Sequence, residues 1–308
     1  MQVGVIVPQG WTGEYKGWNA VDAWSRTRHV ARQVEALGFE SIWLFDHFHT
    51  VPRPTLEITF EAFTSLAALA AETSRVRLGH VVLCAAYRNP ALTTKMICTL
   101  DAISGGRAEL GLGAGWKRDE WLAYGYGFPD APERLRMLKD QLEIAHAMMA
   151  DDRASYAGRY QSVTNAINRP QPVQQPHIPI MVGGNGPNVT WRLAAKYADE
   201  LNVDGMSPEE LREALPVIRA RCDEIGRDPA SMKVSVHVWW ESLEAHSGQP
   251  RVDMVQAYRE LGVSRVIGLV RSSATSDEAL AAWAEDARAG GADLLDSVEL
   301  LDSDAFRA

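Results

Sequence analysis

Leu37-Gly38-Phe39-Glu40-Ser41-Ile42-Trp43-Leu44-Phe45-Asp46-His47 holds the end of one helix and the whole of one strand. Upstream, Val21, Trp24, Val30, Val34 and Leu37 recur at helical spacing, and Gly38 stands where a helix closes. Residues 41–45 are a short apolar run, the pattern of a strand covered on both faces. The run stops on two titratable groups, Asp46 and His47. Helix, buried strand and polar strand end make one unit of a parallel α/β fold.

The same unit recurs along the chain. Strand-like runs lie at 3–8, 41–45, 76–83, 108–113, 179–183, 200–203, 233–240 and 265–270. Helical patterns separate them. Leu135, Leu138, Leu142, Ala145 and Met149 form one stripe, and Leu211, Leu215, Ile218, Cys222 and Ile225 form another. Shorter helices are expected near 57–72, 90–103, 188–197, 252–261 and 277–288. Eight strand–helix repeats without a composition break predict a single (β/α)8 TIM barrel over 1–308, with a doubly wound open sheet as the alternative. Residues 151–178 interrupt the rhythm and end in Arg169-Pro170-Gln171-Pro172, too long and Pro-rich for a simple connection. They are expected to be an insertion before the fifth strand, hairpin-like, either a surface decoration or a substrate cover. The acidic stretch 290–308 is expected to be a C-terminal tail.

Bulk properties narrow the function. Hydrophobic residues make up 46% of the 308 and charged residues 23%, ordinary values for a globular protein with a sizeable core. A net charge of −9 with no offsetting basic stretch argues against a nucleic-acid surface. No apolar run approaches the ~20 residues of a membrane helix, so no membrane partner is expected. Residues 1–8 read as a first strand rather than a leader. Cys84, Cys98 and Cys222 show no CxxC spacing, and an odd, sparse count points to reduced thiols and a cytoplasmic location.

In a barrel of this kind, chemistry collects at the C-terminal strand ends. The predicted strands deliver there Gln9 and Trp11, then Asp46-His47-Phe48-His49, then Cys84, then Gly113-Ala114-Gly115-Trp116. Gly183-Gly184-Asn185-Gly186, Asp204, Trp239 with Trp240, and Arg271 follow. A histidine at a strand end is suited to general acid–base work, although a hydrogen-bonded turn with exposed histidines would look the same in sequence. His47 and His49 also suggest a metal, but too few further ligands converge, so no metal is expected. None of the six lysines ends an apolar strand except Lys117, which lies in a polar loop, and this leaves little room for Schiff-base chemistry. The turn Gly183-Gly184-Asn185-Gly186 enters a helix, where free amides make a phosphate cradle; its glycines would equally serve a tight turn.

Taken in order, several segments resemble the luciferase-like monooxygenase superfamily over roughly residues 1–270. They are 37–47, Thr73-Ser74-Arg75-Val76-Arg77-Leu78-Gly79, Tyr87-Arg88-Asn89-Pro90, Leu100-Asp101-Ala102-Ile103-Ser104-Gly105-Gly106-Arg107, Gly111-Leu112-Gly113-Ala114-Gly115-Trp116, and Ile180-Met181-Val182-Gly183-Gly184-Asn185-Gly186. Within the superfamily the chain is most similar to the branch that uses the deazaflavin coenzyme F420. That resemblance implies Asp46 near the cofactor ring and His47 near the substrate as proton donor or acceptor. It implies a cis peptide at Val81–Val82 behind the ring, and Cys84, Gly115, Trp116 and Asp119 beside the ring or its side chain. It assigns the cofactor phosphate to Gly183, Gly184, Asn185 and Gly186. Sugar-phosphate dehydrogenases of the branch carry a catalytic glutamate where this chain has Trp116, which points to an apolar or aromatic substrate with Trp11, Trp116, Trp239 and Trp240 shaping its pocket. The expected activity is hydride transfer to or from a small organic substrate, in a homodimer. The alternatives are an FMN-dependent monooxygenase that activates oxygen, a non-catalytic flavin-binding barrel, and a metallohydrolase.

Overall fold

The computed structural model describes residues 1–296; of the expected tail, 297–308 lie outside the described residues. The strands run β1 (Gln2–Ile6), β2 (Ser41–Leu44), β3 (Arg77–His80), β4 (Leu83–Cys84), β5 (Ala108–Gly113), β6 (Arg153–Ala157), β7 (Ser162–Ile167), β8 (Ile180–Gly183), β9 (Glu200–Asp204), β10 (Lys233–Val238) and β11 (Arg265–Leu269). All but β6 and β7 pair in parallel and close on themselves, β1 joining β11 on one side and β2 on the other. Because β3 and β4 are two halves of one stave beside β5, the ring is a closed (β/α)8 barrel with eight staves.

Helices α1 (Ala20–Ala36), α2 (Ala62–Glu72), α3 (Pro90–Ser104), α4 (Arg118–Ala123), α5 (Ala131–Ala150), α6 (Thr190–Tyr197), α7 (Pro208–Asp223), α8 (Trp240–Ala245), α9 (Gln249–Glu260) and α10 (Glu278–Ala289) follow the strands. Their apolar faces and the outer faces of the strands form the large core. Two residues read as core-facing turn outward: Val21, in the first turn of α1, and Ile225, beyond the end of α7, are exposed. Each lies at a helix end, past the part of the stripe that meets the barrel. The interruption at 151–178 contains the antiparallel hairpin β6–β7, packed on α5 through Tyr156 and Asp140. The strand expected over 233–240 stops at Val238, and Trp240 opens α8 instead.

Inside the barrel, Ile6, Trp43, Phe45, Val81, Met181, Ile267 and Leu269 pack in layers. The N-terminal end is stoppered by ions. Arg265 is surrounded by Glu40, Glu109 and Glu200 at 3.0, 2.9 and 3.1 Å, and Arg77 also pairs with Glu109. The barrel is thus closed below and open above. Among the described residues no helix is long and apolar enough to cross a membrane.

Candidate active site

A cavity of about 360 Å3 opens at the C-terminal strand ends. It is lined by residues from most of the staves, and two of its walls differ in chemistry.

One wall is aromatic. Trp11, after β1, stacks on the His47 imidazole at 4.7 Å, meets Phe45 at 4.2 Å and faces Trp239 at 5.6 Å. His47 is held from behind: its Nδ1 lies 2.8 Å from Glu120 Oε2. Glu120, on α4, is fully buried and also accepts hydrogen bonds from the Phe48 amide at 2.6 Å and the Tyr87 hydroxyl at 3.0 Å. Burial works to raise the Glu120 carboxyl, but the His47 contact and the two added donors outweigh it, so its pKa lies below the usual carboxylate value. Among the described residues His47 Nε2 has no protein partner, which leaves it for a ligand. Glu120 was absent from the sequence-derived set, which named its neighbour Asp119. Asp119 instead pairs with Lys117 at 3.0 Å, half-exposed and outside the lining.

Asp46 turns toward β4. Its carboxylate accepts the Cys84 amide at 2.9 Å and both guanidinium arms of Arg88 at 2.8 and 2.9 Å, and Arg88 also reaches Glu61. A buried carboxylate clamped in this two-pronged way is a fixed anion. The Cys84 thiol is pushed up by burial and the nearby Asp46 charge, so it is not a nucleophile at neutral pH.

The other wall is small and flat. The Val81–Val82 peptide is cis, as the resemblance implies. The Val82 side chain occupies the space in front of two glycines: a Cβ on Gly113 would lie 2.6 Å from it, and one on Gly183 would lie 2.8 Å from it. Gly115 adopts φ +75° and has no room for a side chain, since a Cβ there would lie 2.5 Å from Cys84 Sγ. Trp116 stands at the mouth, 60% exposed, edge-on to His47.

Beyond this wall lies the turn before α6. The Gly184 amide is spent on Asn202 O, and the Asn185 side chain exchanges two 2.8 Å hydrogen bonds with the Asp204 backbone. These bonds fix the loop. The amides of Asn185, Gly186, Asn188, Val189 and Thr190 find no protein acceptor among the described residues, and such an array suits an anionic group. Gly186 lies outside the lining, its Cα against Thr190, so it would contribute through its amide alone. Gln9 is also outside; its amide clamps Phe45 and Phe60. Trp240 is outside as well, packed edge-on behind Trp239.

Cations are scarce. Lys117 lines the mouth, but its ammonium already contacts Pro52 O and Asp119. His49 Nδ1 turns to Thr50 O, and His49 is outside the lining. Among the described residues no three His, Cys, Asp or Glu side chains gather as a metal site.

The family model described as luciferase-like monooxygenase matches residues 1–240. An uncharacterized protein of Mycobacterium tuberculosis (strain H37Rv) is 29% identical over 254 residues, 77% of this chain and 84% of that protein. An F420-dependent glucose-6-phosphate dehydrogenase of Microbacterium testaceum is 34% identical over 196 residues, 63% of this chain and 57% of that enzyme. The solved structure of an F420-dependent secondary alcohol dehydrogenase with an F420–acetone adduct superposes with a TM-score of 0.79 at 19% identity, covering 94% of this chain and 98% of that one. At that identity the likeness is one of fold.

Proposed function

The chain belongs to the luciferase-like monooxygenase family, and from that premise we propose that it is an F420-dependent oxidoreductase acting on a small uncharged substrate. The observation that carries the reading is the placement of His47: buried Glu120 fixes one ring nitrogen, Trp11 fixes the ring plane, and the other nitrogen is left for a substrate.

The residues present fit such a cofactor. The glycine wall of Gly113, Gly115 and Gly183 with Val81, Val82 and Cys84 offers a flat bed for a tricyclic ring, with Asp46 and Trp116 at its margins. The turn offers the amides of Asn185 and Gly186, with those of Asn188, Val189 and Thr190 at the start of α6, to a phosphate, and Gly183 and Gly184 shape its approach. Asp119 is not carried into this set. When bound, the deazaflavin supplies two-electron hydride chemistry. The chain supplies position and a proton. His47 would give a proton to a carbonyl oxygen as the adjoining carbon gains hydride, and would take it back in the alcohol direction; an alkene carbon could receive it in the same way. The fixed Asp46–Arg88 pair would orient the ring edge and move no proton.

Among the described residues the one cation on the lining, Lys117, is already engaged, which argues against a substrate phosphate, so an apolar or aromatic carbonyl, alkene or alcohol is favoured over a sugar phosphate. The three buried free cysteines are consistent with a cytoplasmic location. A homodimer is the proposed unit, tested by light scattering after gel filtration.

The deciding experiment titrates apoprotein with F420 and FMN side by side. Tighter F420 binding, with turnover lost by roughly 10²–10⁴-fold in His47→Ala while F420 affinity persists, supports the proposal. Preferential FMN binding with oxygen consumption by reduced FMN would replace it with a monooxygenase, the activity for which the family model is named. A tight cofactor complex without turnover on carbonyls, enones and alcohols would make it a binding protein.

A further inference from the structure

The cavity holds a second imidazole that the proposed reaction does not use. His237 lies on β10, is 3% exposed, and lines the cavity beside Trp239. Its Nδ1 stands 3.3 Å from Asp204 Oδ1, and Asp204 also accepts the Trp239 indole N–H at 2.8 Å. A carboxylate beside Nδ1 places the ring proton there, which makes Nε2 of the neutral ring an acceptor. That Nε2 is buried and has no hydrogen-bond partner among the described residues.

Its surroundings point to what it would meet. The ring centroids of His237 and Trp239 are 4.3 Å apart, Trp239 and Trp11 5.6 Å, and Trp11 and His47 4.7 Å. Phe45 fills the angle between them, 5.5 Å from His237 and 5.9 Å from Trp239. The two histidines therefore border one continuous aromatic surface, with Phe45 6.3 Å from His47 and 5.5 Å from His237. The glycine wall lies on β4, β5 and β8, and the amide-rich turn meets His237 only through Asp204, whose backbone holds Asn185; the aromatic face that His237 shares with His47 is the side left for the substrate.

We propose that His237 Nε2 is a specificity contact that accepts a hydrogen bond from a hydroxyl or N–H on the substrate, across an aromatic or apolar body from the carbon that reacts. The inference rests on the reading of this cavity as a substrate site. A ligand that fills the aromatic surface without offering a donor leaves a buried lone pair unpaired. Sites built for a hydrogen bond reject such analogues strongly.

Phenol, toluene and anisole are close in shape and differ in donor and acceptor character. Each is titrated by calorimetry into the protein with and without F420. Burial of apolar area alone favours toluene and anisole over phenol, so a preference for phenol of about 10-fold or more is the expected result. His237→Phe is expected to abolish that preference, and His237→Gln, which offers an amide oxygen, to retain part of it, with circular dichroism confirming the fold of each. Equal affinities, a preference for anisole, no binding of any of the three, or a phenol preference that survives in His237→Phe would overturn the proposal. F420 titration is a separate readout: protein that binds no F420 but ranks the three ligands through His237 sinks the cofactor reading and keeps this one.

Discussion

His47 and Glu120 meet at 2.8 Å between Nδ1 and Oε2, and the carboxylate is the buried member of the pair while the imidazole borders the cavity. The arrangement fixes both the tautomer and the tilt of the ring, as in other histidines backed by a carboxylate. Glu120→Gln keeps the size and much of the hydrogen bonding but removes the charge that stabilises a protonated His47. Turnover is expected to fall roughly 10²-fold, with cofactor affinity little changed, and the pH profile of kcat to move with it. A Glu120→Gln enzyme with the native profile would show that His47 works without its partner.

The same carboxylate links stability to pH. Burial acts upward on Glu120, but His47, the Phe48 amide and Tyr87 hold its folded pKa below the ordinary value of 4.5. Its contribution is therefore fully present above 4.5 and is lost as the pH falls through the lower folded value. Glu120→Ala strands the Phe48 amide and the Tyr87 hydroxyl as well, and should cost about 2–4 kcal/mol at neutral pH. Urea unfolding at pH 7 and pH 3.5 should show the gap between wild type and variant narrowing at the acid end.

How much of this was legible in sequence depends on the kind of signal. The barrel strands announce themselves because a strand buried on both faces cannot carry many polar residues, and Asp46-His47 stands out by ending such a run. Glu120 did not, because Arg118-Asp119-Glu120-Trp121 offers two adjacent acids in a six-residue helix, too short for periodicity to tell the inward one. Its one cue was the bulky apolar Trp121 beside it, which is also buried. His237 is legible from alternation alone. In Val234-Ser235-Val236-His237-Val238-Trp239 the valines alternate with the residues facing the barrel axis, so any reading that turns Trp239 inward turns His237 inward too. The packing of Val82 against Gly113 and Gly183 depends on three staves meeting, and no local pattern encodes it.

That packing yields a stability prediction. A methyl at residue 183 would stand 2.8 Å from Val82 Cγ1, and one at residue 113 would stand 2.6 Å from Cγ2. Gly183→Ala should therefore destabilise by about 1–3 kcal/mol through overpacking. Val82→Ala removes the colliding methyls, so the double variant should be more stable than the sum of the two single losses allows. A double-mutant cycle by thermal unfolding reads this directly; strict additivity would show that residues 82 and 183 do not share the space.

Glu200, in the ionic stopper below the barrel, should respond to pH in the opposite sense from Glu120. Glu40, Glu109 and Glu200 surround one guanidinium, with Arg77 reaching only Glu109. Burial, followed by repulsion from Glu109 and Glu40, raises the Glu200 carboxyl despite Arg265, whereas Arg265 and Arg77 outweigh burial at Glu109 and lower it. A carboxyl whose folded pKa is raised binds its proton more tightly in the native state, so its favourable contribution is present at low pH and lost as the pH rises through the folded value. Glu200→Gln mimics the protonated form permanently. The variant should come closest to wild type below pH 4.5, the ordinary carboxyl value, and gain in Tm as the pH rises above it, where wild type must either hold a third buried anion or keep a proton against the solvent. Removing the cation is a different matter: Arg265→Met leaves three buried carboxylates facing one another and should cost about 3–5 kcal/mol. A Tm difference for Glu200→Gln that stays constant from pH 5 to pH 8 would mean that Glu200 is ionised across the whole range and fully neutralised by Arg265.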